Sequence, residues 1–532
     1  MTRTGLFAIA LLTGLAAPAL SWSAELAATA AAGAASEHFP ILEYRVLHNT
    51  VLDARAIERA VYPHMGPDRS FADVQAARAS LEKAYRDAGY SSIYVDIPEQ
   101  SVEDGVVRLA VTEGRLDRVA VTGTRYFLNR HILAAVPSLT PGTVPHFPDV
   151  QQQLTALNQS SPDLRVAPIL KSGDSPGTVD AELKVKDTLP LHGSAEVNDR
   201  YTANTTPTRV NLNLSYDNLF QRYQTLSLQY QTAPQHSSDA RVIAATYLAP
   251  LPALHGTLAL LALKTDSDVA TVGTLAVLGK GQVFGARYVI SLPLAGAWVP
   301  TLTLGADLKK FDESVLLAGG SGLQTPIEYM NWSLAYGAML AHAGSMTSVT
   351  LATNFGVRGV VNDPVQFEAK RAGAKPDYFY WHLDALHVHP LAFGTAIALR
   401  ASGQYSTEPL IDNEQFAIGG VDSVRCYLEA EDLGDSGFAG SAELRSPQLR
   451  RLFGVQPREA YVYAFYDIGS VRLIDPLPSQ IASYGLRAWG LGLRLTGYAG
   501  VDAGFDWAHP LLSTVYESAE GSRVHFHVRY GF

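Results

Sequence analysis

An arginine and an aspartate in the C-terminal third of the chain lie in segments where a charged side chain needs explanation. Arg425 lies in the segment Asp422–Tyr427, and Asp467 lies within a segment of alternating apolar and polar residues. Because side chains alternate along a strand, Asp467 shares a face with Tyr463 and Phe465. We interpret this strand below as membrane-spanning, and a carboxylate faces lipid only at high cost. Asp467 is therefore expected to face an enclosed interior, where a guanidinium fork is its best partner.

The arginine lies in a long connection between two predicted strands, Thr395–Tyr405 and Gly437–Arg445. The connection contains Phe416–Gly420, the segment with Arg425, and a polar stretch over Glu429–Ser436. About thirty residues are too many for a simple turn between neighbouring strands. We expect a loop over about 412–436 that folds back into the protein.

The sequence contains little that indicates catalysis or cofactor binding. His387 and His389 share a strand face, as do His525 and His527, but no carboxylate or thiolate accompanies either pair. The glycines of Gly279–Gly285 miss the dinucleotide-binding spacing and lie beside a strand. No nucleophile and base stand out as a pair. We expect no enzyme activity, no cofactor and no bound metal.

Composition narrows the class of protein. The chain has 532 residues, enough for two or three domains, and a mean hydropathy of +0.04, which is too polar for a helical membrane protein. A net charge of -10 and the absence of a Lys/Arg block argue against nucleic acid as a partner. The one cysteine, Cys426, excludes an intramolecular disulfide and a multi-cysteine metal site.

The N-terminus has the pattern of a secretory signal. Arg3 precedes the apolar run Leu6–Leu20 and the small residues of Ser21–Ala24, so we expect a signal peptide over 1–23. The run is too short to span a bilayer, and no other segment reaches the ~20 apolar residues that a spanning helix needs. A short Ala-rich linker, 24–38, follows. Export without a membrane helix indicates the periplasm, the outer membrane or the exterior of a Gram-negative cell.

Residues 39–188 predict two similar α+β units. The first, 39–115, contains an extended Ile41–Leu47, a helix over Asp53–Val61, a second helix that begins at Ser70 with a capping box, and two strands. The second, 116–188, contains helices near Asn129–Val136 and Pro148–Leu157 and closes with two strands. A generic α+β pair without a special role is the alternative.

From residue 189 onward the chain reads as about sixteen segments of strict apolar/polar alternation. An even number of strands of about ten residues is typical of a bacterial transmembrane β-barrel, and a soluble β-sandwich is the alternative. The last segment has one apolar face and one polar face. The apolar face is Phe526, Val528, Tyr530 and Phe532, and the polar face is His525, His527, Arg529 and Gly531.

These features together resemble a known superfamily. A tandem β-α-α-β-β unit before a barrel resembles the POTRA domain, and Val111–Leu116 resembles the link between such units. In the Omp85 superfamily a Val-Arg-Gly-Tyr motif at the tip of an inward-folded loop pairs with the Asp of a Phe-x-Asp motif on a barrel strand. Two POTRA-like units and sixteen strands narrow the resemblance to the two-partner secretion transporters, that is, the hemolysin or adhesin secretion/activation proteins. The counterparts here are Val424, Arg425, Cys426 and Tyr427 in the loop, Phe465 and Asp467 on the barrel wall, and the strand residues Glu443, Leu444 and Arg445.

The resemblance implies a function and its partners. It implies a translocator that captures an unfolded exoprotein in the periplasm, mainly through the second POTRA-like unit, and passes it through the barrel without ATP. It also implies contact with outer-membrane lipid and with the barrel assembly machinery, for which the apolar face of the last strand would be the signal. A barrel insertase of the same superfamily and a passive porin are the alternatives. Insertases usually carry more POTRA units, and porins need no periplasmic units.

The chain departs from the family pattern twice. Cys426 stands where the family has glycine, so the loop tip lacks glycine's conformational freedom. The linker is too short for the N-terminal plug helix and long connection of some relatives, so we expect no plug.

Overall fold

The computed structural model describes residues 38–532, except 103, 204, 268, 273–274, 313, 317–321, 454–456 and 479. The expected signal peptide and all but the last residue of the expected linker lie outside these residues. By its internal contacts the chain forms two compact units. The smaller comprises, within the described residues, 38–123, Ile132–Leu157 and Val166–Val185, and the larger comprises Thr124–His131, Asn158–Arg165 and Lys186–Phe532.

The first α+β repeat has a three-stranded sheet and a separate pair of short strands. Its elements are β1 (Phe39–Ile41), β2 (Glu43–Leu47), α1 (Ala54–Val61), β3 (Gly66–Arg69), α2 (Phe71–Asp87), β4 (Ile93–Asp96) and β5 (Val106–Glu113). The sheet order is β2-β5-β4, with β2 parallel to β5, and β1 pairs with β3. Helix α2 begins where the sequence predicts, because the Ser70 and Asp73 side chains form a capping box.

The segment Ile41–Leu47, expected to be extended, falls on two strands. It is divided at Leu42 between β1 and β2, which belong to different sheets. The backbone N–H groups of Leu42 and Glu43 both donate to the carbonyl of Gly105, at the point where the chain passes from β1 to β2. Strand β3 was missed because Gly66–Arg69 has no apolar alternation.

The second repeat has the same order of elements as the first without β1 and β3. They are β6 (Arg115–Thr122), α3 (Asn129–Ala134), α4 (Phe147–Ser160), β7 (Leu164–Ser172) and β8 (Thr178–Asp187). The strand order is β6-β8-β7, so β6 and β7 are the outer strands. Helix α4 buries Val150, Leu154 and Leu157, the face that the helical spacing predicts. The Asp187 carboxylate accepts hydrogen bonds from the backbone N–H groups of residues 125–127.

Sixteen antiparallel strands form a closed barrel, which confirms the predicted fold class. They are β9 (Leu191–Asn198), β10 (Arg209–Leu219), β11 (Gln224–Thr232), β12 (Arg241–Leu251), β13 (Gly256–Thr265), β16 (Gly281–Ser291), β17 (Trp298–Phe311), β20 (Ile327–His342), β21 (Ser345–Gly356), β22 (Phe379–Pro390), β23 (Ala396–Ser406), β26 (Ser436–Arg445), β27 (Glu459–Arg472), β28 (Ser483–Tyr498), β29 (Val501–Pro510) and β30 (Arg523–Gly531). Each overlaps one of the sixteen predicted segments. The barrel closes where β30 pairs with β9.

Further elements lie in the connections between barrel strands. Short hairpins are formed by β14 (Val269–Val272) with β15 (Leu275–Leu278), β18 (Ser314–Leu316) with β19 (Gly322–Gln324), and β24 (Phe416–Ile418) with β25 (Asp432–Gly434). Helix α5 (Pro364–Lys370) lies between β21 and β22, and 3₁₀ turns occur in the barrel connections at Pro252–Leu254, Ala392–Gly394, Asp412–Glu414 and Arg450–Leu452. A further 3₁₀ turn, Tyr62–His64, follows α1 in the first repeat. None of these short elements was predicted from the sequence, because strands of three or four residues, 3₁₀ turns and a helix of seven residues are too short to show a distinct periodic pattern.

The barrel wall is apolar outside and polar inside. On β10 the side chains of Leu212 and Leu214 are 46% and 45% exposed on the outer face, whereas Asn211 and Asn213 line an internal cavity. Trp489 and Trp507 contact each other on the outer face, where aromatic rings suit a membrane interface. Among the described residues, no helix combines the length and apolarity needed to cross a bilayer.

Candidate functional site: the loop inside the barrel

The connection between β23 and β26 folds into the barrel as a hairpin. Its stem is the pairing of Phe416 with Gly434 and of Ile418 with Asp432, and its tip contains Arg425. Val424, Cys426 and Tyr427 at the tip are all fully buried. They belong to one cluster with side chains of β27, β28 and β29, so the tip packs against the barrel wall.

The structure places Arg425 directly against Asp467. Arg425 Nε donates to Asp467 Oδ2 and Nη2 donates to Oδ1, both at 2.7 Å, and the backbone N–H of Arg425 donates to Oδ2 at 3.1 Å. Asp467 is fully buried and Arg425 is 4% exposed. The arrangement is the bidentate fork that guanidinium and carboxylate groups favour.

Neighbouring wall residues complete the environment of the guanidinium. Nη1 of Arg425 donates to Glu443 at 3.0 Å, and Nη2 donates to Ser441 at 2.9 Å. The guanidinium carbon lies 3.5 Å from the centroid of the Phe465 ring, a cation–π contact. Arg445 binds the other oxygen of Glu443. The sequence singled out Glu443 and Arg445 together with Arg425, and Ser441 was missed because nothing in its local pattern marks it.

Cys426 adopts the backbone conformation that glycine favours. Its φ is +85°, in the left-handed region that costs an L-residue about 1–2 kcal/mol. The backbone N–H of Cys426 donates to His525 Nε2 at 2.9 Å, and Sγ contacts the carbonyl oxygen of Ala508 at 3.4 Å. Burial raises the pKa of the thiol to about 11. The positive φ of Cys426 is therefore the conformational cost that we expect when another residue replaces glycine at this position.

His525 links the loop tip to both strands of the barrel closure. Its Nε2 accepts from Cys426, and its Nδ1 lies 2.8 Å from the carboxylate of Asp199, which follows β9. Since Nε2 accepts a hydrogen bond, Nδ1 carries the proton and donates to Asp199. The sequence placed His525 on the polar face of the last strand but did not identify these partners, which lie 99 and 326 residues away.

Gly469 makes room for the loop on the barrel wall. A Cβ at this position would lie 2.9 Å from Val424 and 3.2 Å from Ile418. The hydroxyl of Tyr427 contacts the backbone carbonyls of Arg487, in β28, and of Leu512, in the connection between β29 and β30, which anchors the tip on the wall. Close backbone approach therefore complements the ion pair.

A polar cavity of about 400 Å³ lies beside the loop tip within the barrel. Asp422 and Glu429 of the loop form part of its lining, opposite amide side chains of β10 and β11 such as Asn213 and Gln229. Arg200 binds Asp422 with Nη2 at 3.2 Å from Oδ1, and the backbone N–H of Glu429 donates to Tyr201. Movement of the loop tip would therefore change the size of this cavity.

The root of the loop is also held by buried polar groups. Glu414 is bound by Lys309, Tyr329 and Tyr380. Asp435 is bound by Arg371. Burial and the charge of Glu431 raise the pKa of Asp432, in the stem, to about 6. Burial disfavours the charge of Arg425, but the hydrogen bond to Asp467 and the negative charges of Asp467, Glu443 and Asp506 together outweigh it and raise the pKa of the guanidinium.

The apolar residues of the last strand lie on the outer face of the barrel. Val528, Tyr530 and Phe532 are 40%, 53% and 70% exposed, and Phe526 is on the same face. The Phe532 ring covers Gly193 of β9, where a Cβ would lie 2.4 Å from the ring. The backbones of Phe532 and Gly193 exchange two hydrogen bonds, of 3.0 and 3.1 Å. Their expected role as an assembly signal stays a prediction.

One group of side chains has a composition that could suit a metal ion. The ligand atoms of Asp163, His192 and Asp217 lie within 4.8 Å of one another. His192 Nε2 lies 2.9 Å from Asp163 and 3.5 Å from Asp217, so the histidine contacts both carboxylates directly. His387 and His389, in contrast, contact Thr347 and Ser345.

Two family comparisons cover most of the chain. Residues 177–495 match the haemolysin secretion/activation proteins ShlB/FhaC/HecB. Residues 39–114 match the POTRA domain of the ShlB type.

Individual relatives agree with these matches. The outer membrane transporter CdiB of Dickeya dadantii is 22% identical over 428 residues, which cover 75% of this chain and 71% of the relative. Among solved structures, CdiB from Escherichia coli aligns with a TM-score of 0.61 at 20% identity, over 94% of this chain and 92% of the other. BamA from Haemophilus ducreyi lacking POTRA domains 1–3 aligns with a TM-score of 0.58 at 15% identity, over 93% of this chain and all of the other.

Proposed function

We propose, from the premise that this chain belongs to the haemolysin secretion/activation protein family, that it captures an unfolded exoprotein partner in the periplasm and secretes it through its barrel. The family is one of outer-membrane transporters of two-partner secretion, in which the POTRA domains are periplasmic. The chain is accordingly an outer-membrane β-barrel protein with a translocator role. Capture of the client, its path and the energy source are the parts that we propose.

The inward-folded loop is the observation that carries this proposal. The loop fills part of the lumen, and its tip is held by a compact set of contacts around Arg425 rather than by a continuous sheet. Release of these contacts would enlarge the neighbouring polar cavity, whose amide and charged side chains suit the backbone of an extended polypeptide. Folding of the client outside the cell would supply the direction, because the outer membrane has no ATP.

Strand β7 of the second repeat is our candidate for the docking edge. It is an outer strand of its sheet, and residues 167–172 are exposed, including the apolar side chains of Ile169 and Leu170. An extended client segment could add to this edge through main-chain hydrogen bonds. The outer strand β4 of the first repeat has only four residues, so it offers a client fewer main-chain hydrogen bonds than β7 does.

The proposal is tested by export of the client, and a large exoprotein encoded by a neighbouring gene would be the first candidate for it. Removal of Leu116–Asp187 should abolish the appearance of the client outside the cell while the barrel remains heat-modifiable on gels. Export at the wild-type level by this deletion would reject client capture by the second repeat.

Proline substitutions test the docking edge without a deletion. Neighbouring N–H groups of a strand point in opposite directions, so one of Ile169→Pro and Leu170→Pro removes only an outward-facing donor. That variant should lose client binding and keep its fold, whereas the alanine substitutions at the same positions should retain binding. Normal client binding by both proline variants would reject β7 as the edge.

The same kinds of assay distinguish two alternative functions, barrel insertase and passive porin. A barrel insertase would change the amounts of other outer-membrane proteins when it is removed, whereas a two-partner transporter should change only its client. A passive porin would be unaffected by loss of the second repeat. The two repeats and the buried loop anchors favour the transporter.

A further inference from the structure

The root of the inward loop carries a buried carboxylate that the loop tip does not use. Glu414 is 3% exposed and lies in the 3₁₀ turn Asp412–Glu414, just before the hairpin stem. Its Oε1 accepts from Lys309 Nζ and from the Tyr329 hydroxyl, each at 2.5 Å, and its Oε2 accepts from the Tyr380 hydroxyl at 2.7 Å. Both oxygens are satisfied, which a buried carboxylate requires.

The other side of the root has a second buried carboxylate. Asp435 is fully buried and accepts from Arg371 Nη2 at 2.8 Å, while Nη1 of Arg371 also contacts it. Asp435 further accepts from the backbone N–H groups of Leu410 and Ile474. Both ends of the stem are therefore fixed to the barrel connections by charge-assisted hydrogen bonds.

An apolar cluster surrounds the first of these carboxylates. Leu410 and Ile411 of the loop are 1% exposed and pack in one cluster with Phe311, Tyr329 and Phe367. Phe367 belongs to α5, so the loop root, the helix and six barrel strands share one core. The root thus has the packing of a folded domain interior, in addition to its ion pairs.

The contacts of the root and of the tip share no residue. The tip presents a cation, Arg425, to carboxylates on β26 and β27, whereas the root presents a carboxylate, Glu414, to a cation on β17. We propose that Glu414, with Lys309, Tyr329 and Tyr380, is a second lock that keeps the loop root in place when the tip is released. The loop then swings about its root and does not leave the barrel. The second lock is a property of the folded protein, and only its role in client secretion rests on the proposed function.

The single cysteine offers a direct test of the position of the tip. Cys426 is fully buried at the tip, so its reaction with a maleimide in the purified, folded protein reports tip release. A second reporter at the root is Ile411→Cys in the Cys426→Ser background, since Ile411 is 1% exposed. Heat-modifiability on gels shows that each variant is folded. No client is needed, so the result is independent of the transport assay.

Opposite patterns of labelling are expected for the two locks. Asp467→Ala should increase labelling at Cys426 at least tenfold and leave the thiol introduced by Ile411→Cys protected. Glu414→Ala should increase labelling of the thiol introduced by Ile411→Cys and leave Cys426 protected. Tyr380→Phe should produce the same change more weakly, and it replaces Glu414→Ala in the test if that variant fails to fold. Glu408→Ala, which removes the more exposed loop pair with Lys375, is the matched control and should change neither.

Other outcomes overturn the inference. If Glu414→Ala exposes the tip together with the root, the two locks are one unit. If Asp467→Ala exposes the root as well, the loop leaves the barrel as a whole. If neither Glu414→Ala nor Tyr380→Phe changes labelling at position 411, these contacts do not hold the root.

Discussion

At the scale of single residues, Arg425 shows how a buried charge can be fully satisfied inside a barrel. Its side chain binds three wall residues and stacks on a fourth. An exposed pair contributes at most ~1 kcal/mol, which is too little to hold a long loop. Removal of one partner of a buried pair costs about 3–5 kcal/mol, because the other charge is left without compensation.

We therefore expect Arg425→Ala and Asp467→Ala each to release the loop tip and strongly impair export. The double variant should be less than additive, because the two residues act as one unit. Labelling of Cys426 and export of the client measure the two effects. Arg241→Ala, which removes an exposed arginine–aspartate pair, is the matched control. Normal export by both single variants, or simple additivity, would show that the loop is held in another way.

Cys426→Gly should be tolerated, because it relieves a positive φ and restores the family residue. Cys426→Val should displace the tip, since a β-branched residue disfavours this conformation and the site is fully buried. Client export and heat-modifiability check both variants. Equal export by the two would indicate that the tip does not keep this conformation.

The pH dependence of loop packing should follow Asp432. Its pKa is raised from 3.8 to about 6 in the folded protein, so the packed loop favours the protonated acid. The stabilisation is complete below about pH 4 and is lost as the pH rises through about 6. At pH 7, Asp432→Asn should therefore slow the reaction of Cys426 with 4,4′-dithiodipyridine, relative to the parent at the same pH.

The same substitution should have little effect near pH 4, where the parent is already protonated. The exposed Asp312→Asn serves as the control and should leave the reaction unchanged at both pH values. A faster reaction of Asp432→Asn at pH 7 would contradict the sign of the effect.

At the scale of elements, the barrel depends on the pairing of its last strand with its first. Strands β30 and β9 pair from His527 with Asn198 to Gly531 with Ser194, which is the shortest register of the sixteen. Phe532 extends this pairing by two backbone hydrogen bonds to Gly193 and covers that glycine with its ring. The apolar outer face of the strand is the edge that we expect the assembly machinery to recognise.

Deletion of Phe532 should lower the amount of assembled barrel, because it removes both hydrogen bonds and the terminal ring. Phe532→Leu, which keeps the backbone, should be affected less. The fraction of heat-modifiable protein in the outer membrane measures assembly. An unchanged fraction after the deletion would argue against a role for the terminal residue.

At the scale of the whole molecule, the barrel is a channel occupied by its own loop. The loop root, its stem and its tip together contact β17, β20, β22, β26 and β27. A barrel of sixteen strands would otherwise enclose an aqueous pore. The occupied lumen distinguishes the proposed translocator from an open porin.

Conductance in planar bilayers should reflect this occupancy. The parent protein should show small and infrequent openings, whereas Arg425→Ala should open more often because the tip no longer blocks the lumen. Arg241→Ala is again the control, and it should open as rarely as the parent protein. A large, steady conductance of the parent protein would favour the porin alternative.

The sequence by itself determined the features that depend on local periodicity. Alternation predicted all sixteen barrel strands, helical spacing predicted the buried face of α4, and Ser70 with Asp73 predicted the start of α2. The resemblance of the loop and strand motifs brought Arg425 and Asp467 together as a candidate pair. These signals are readable because a strand or a helix repeats the same environment every two or every three to four residues.

Only the tertiary structure decided which distant side chains meet. Glu414 lies 105 residues from Lys309, and His525 lies 326 residues from Asp199, and no local pattern marks either pair. The division of Ile41–Leu47 between two sheets likewise depends on the carbonyl of Gly105, far along the chain. Closure of the barrel and the path of the loop set these contacts, because a buried charge takes whichever partner the whole fold brings within reach.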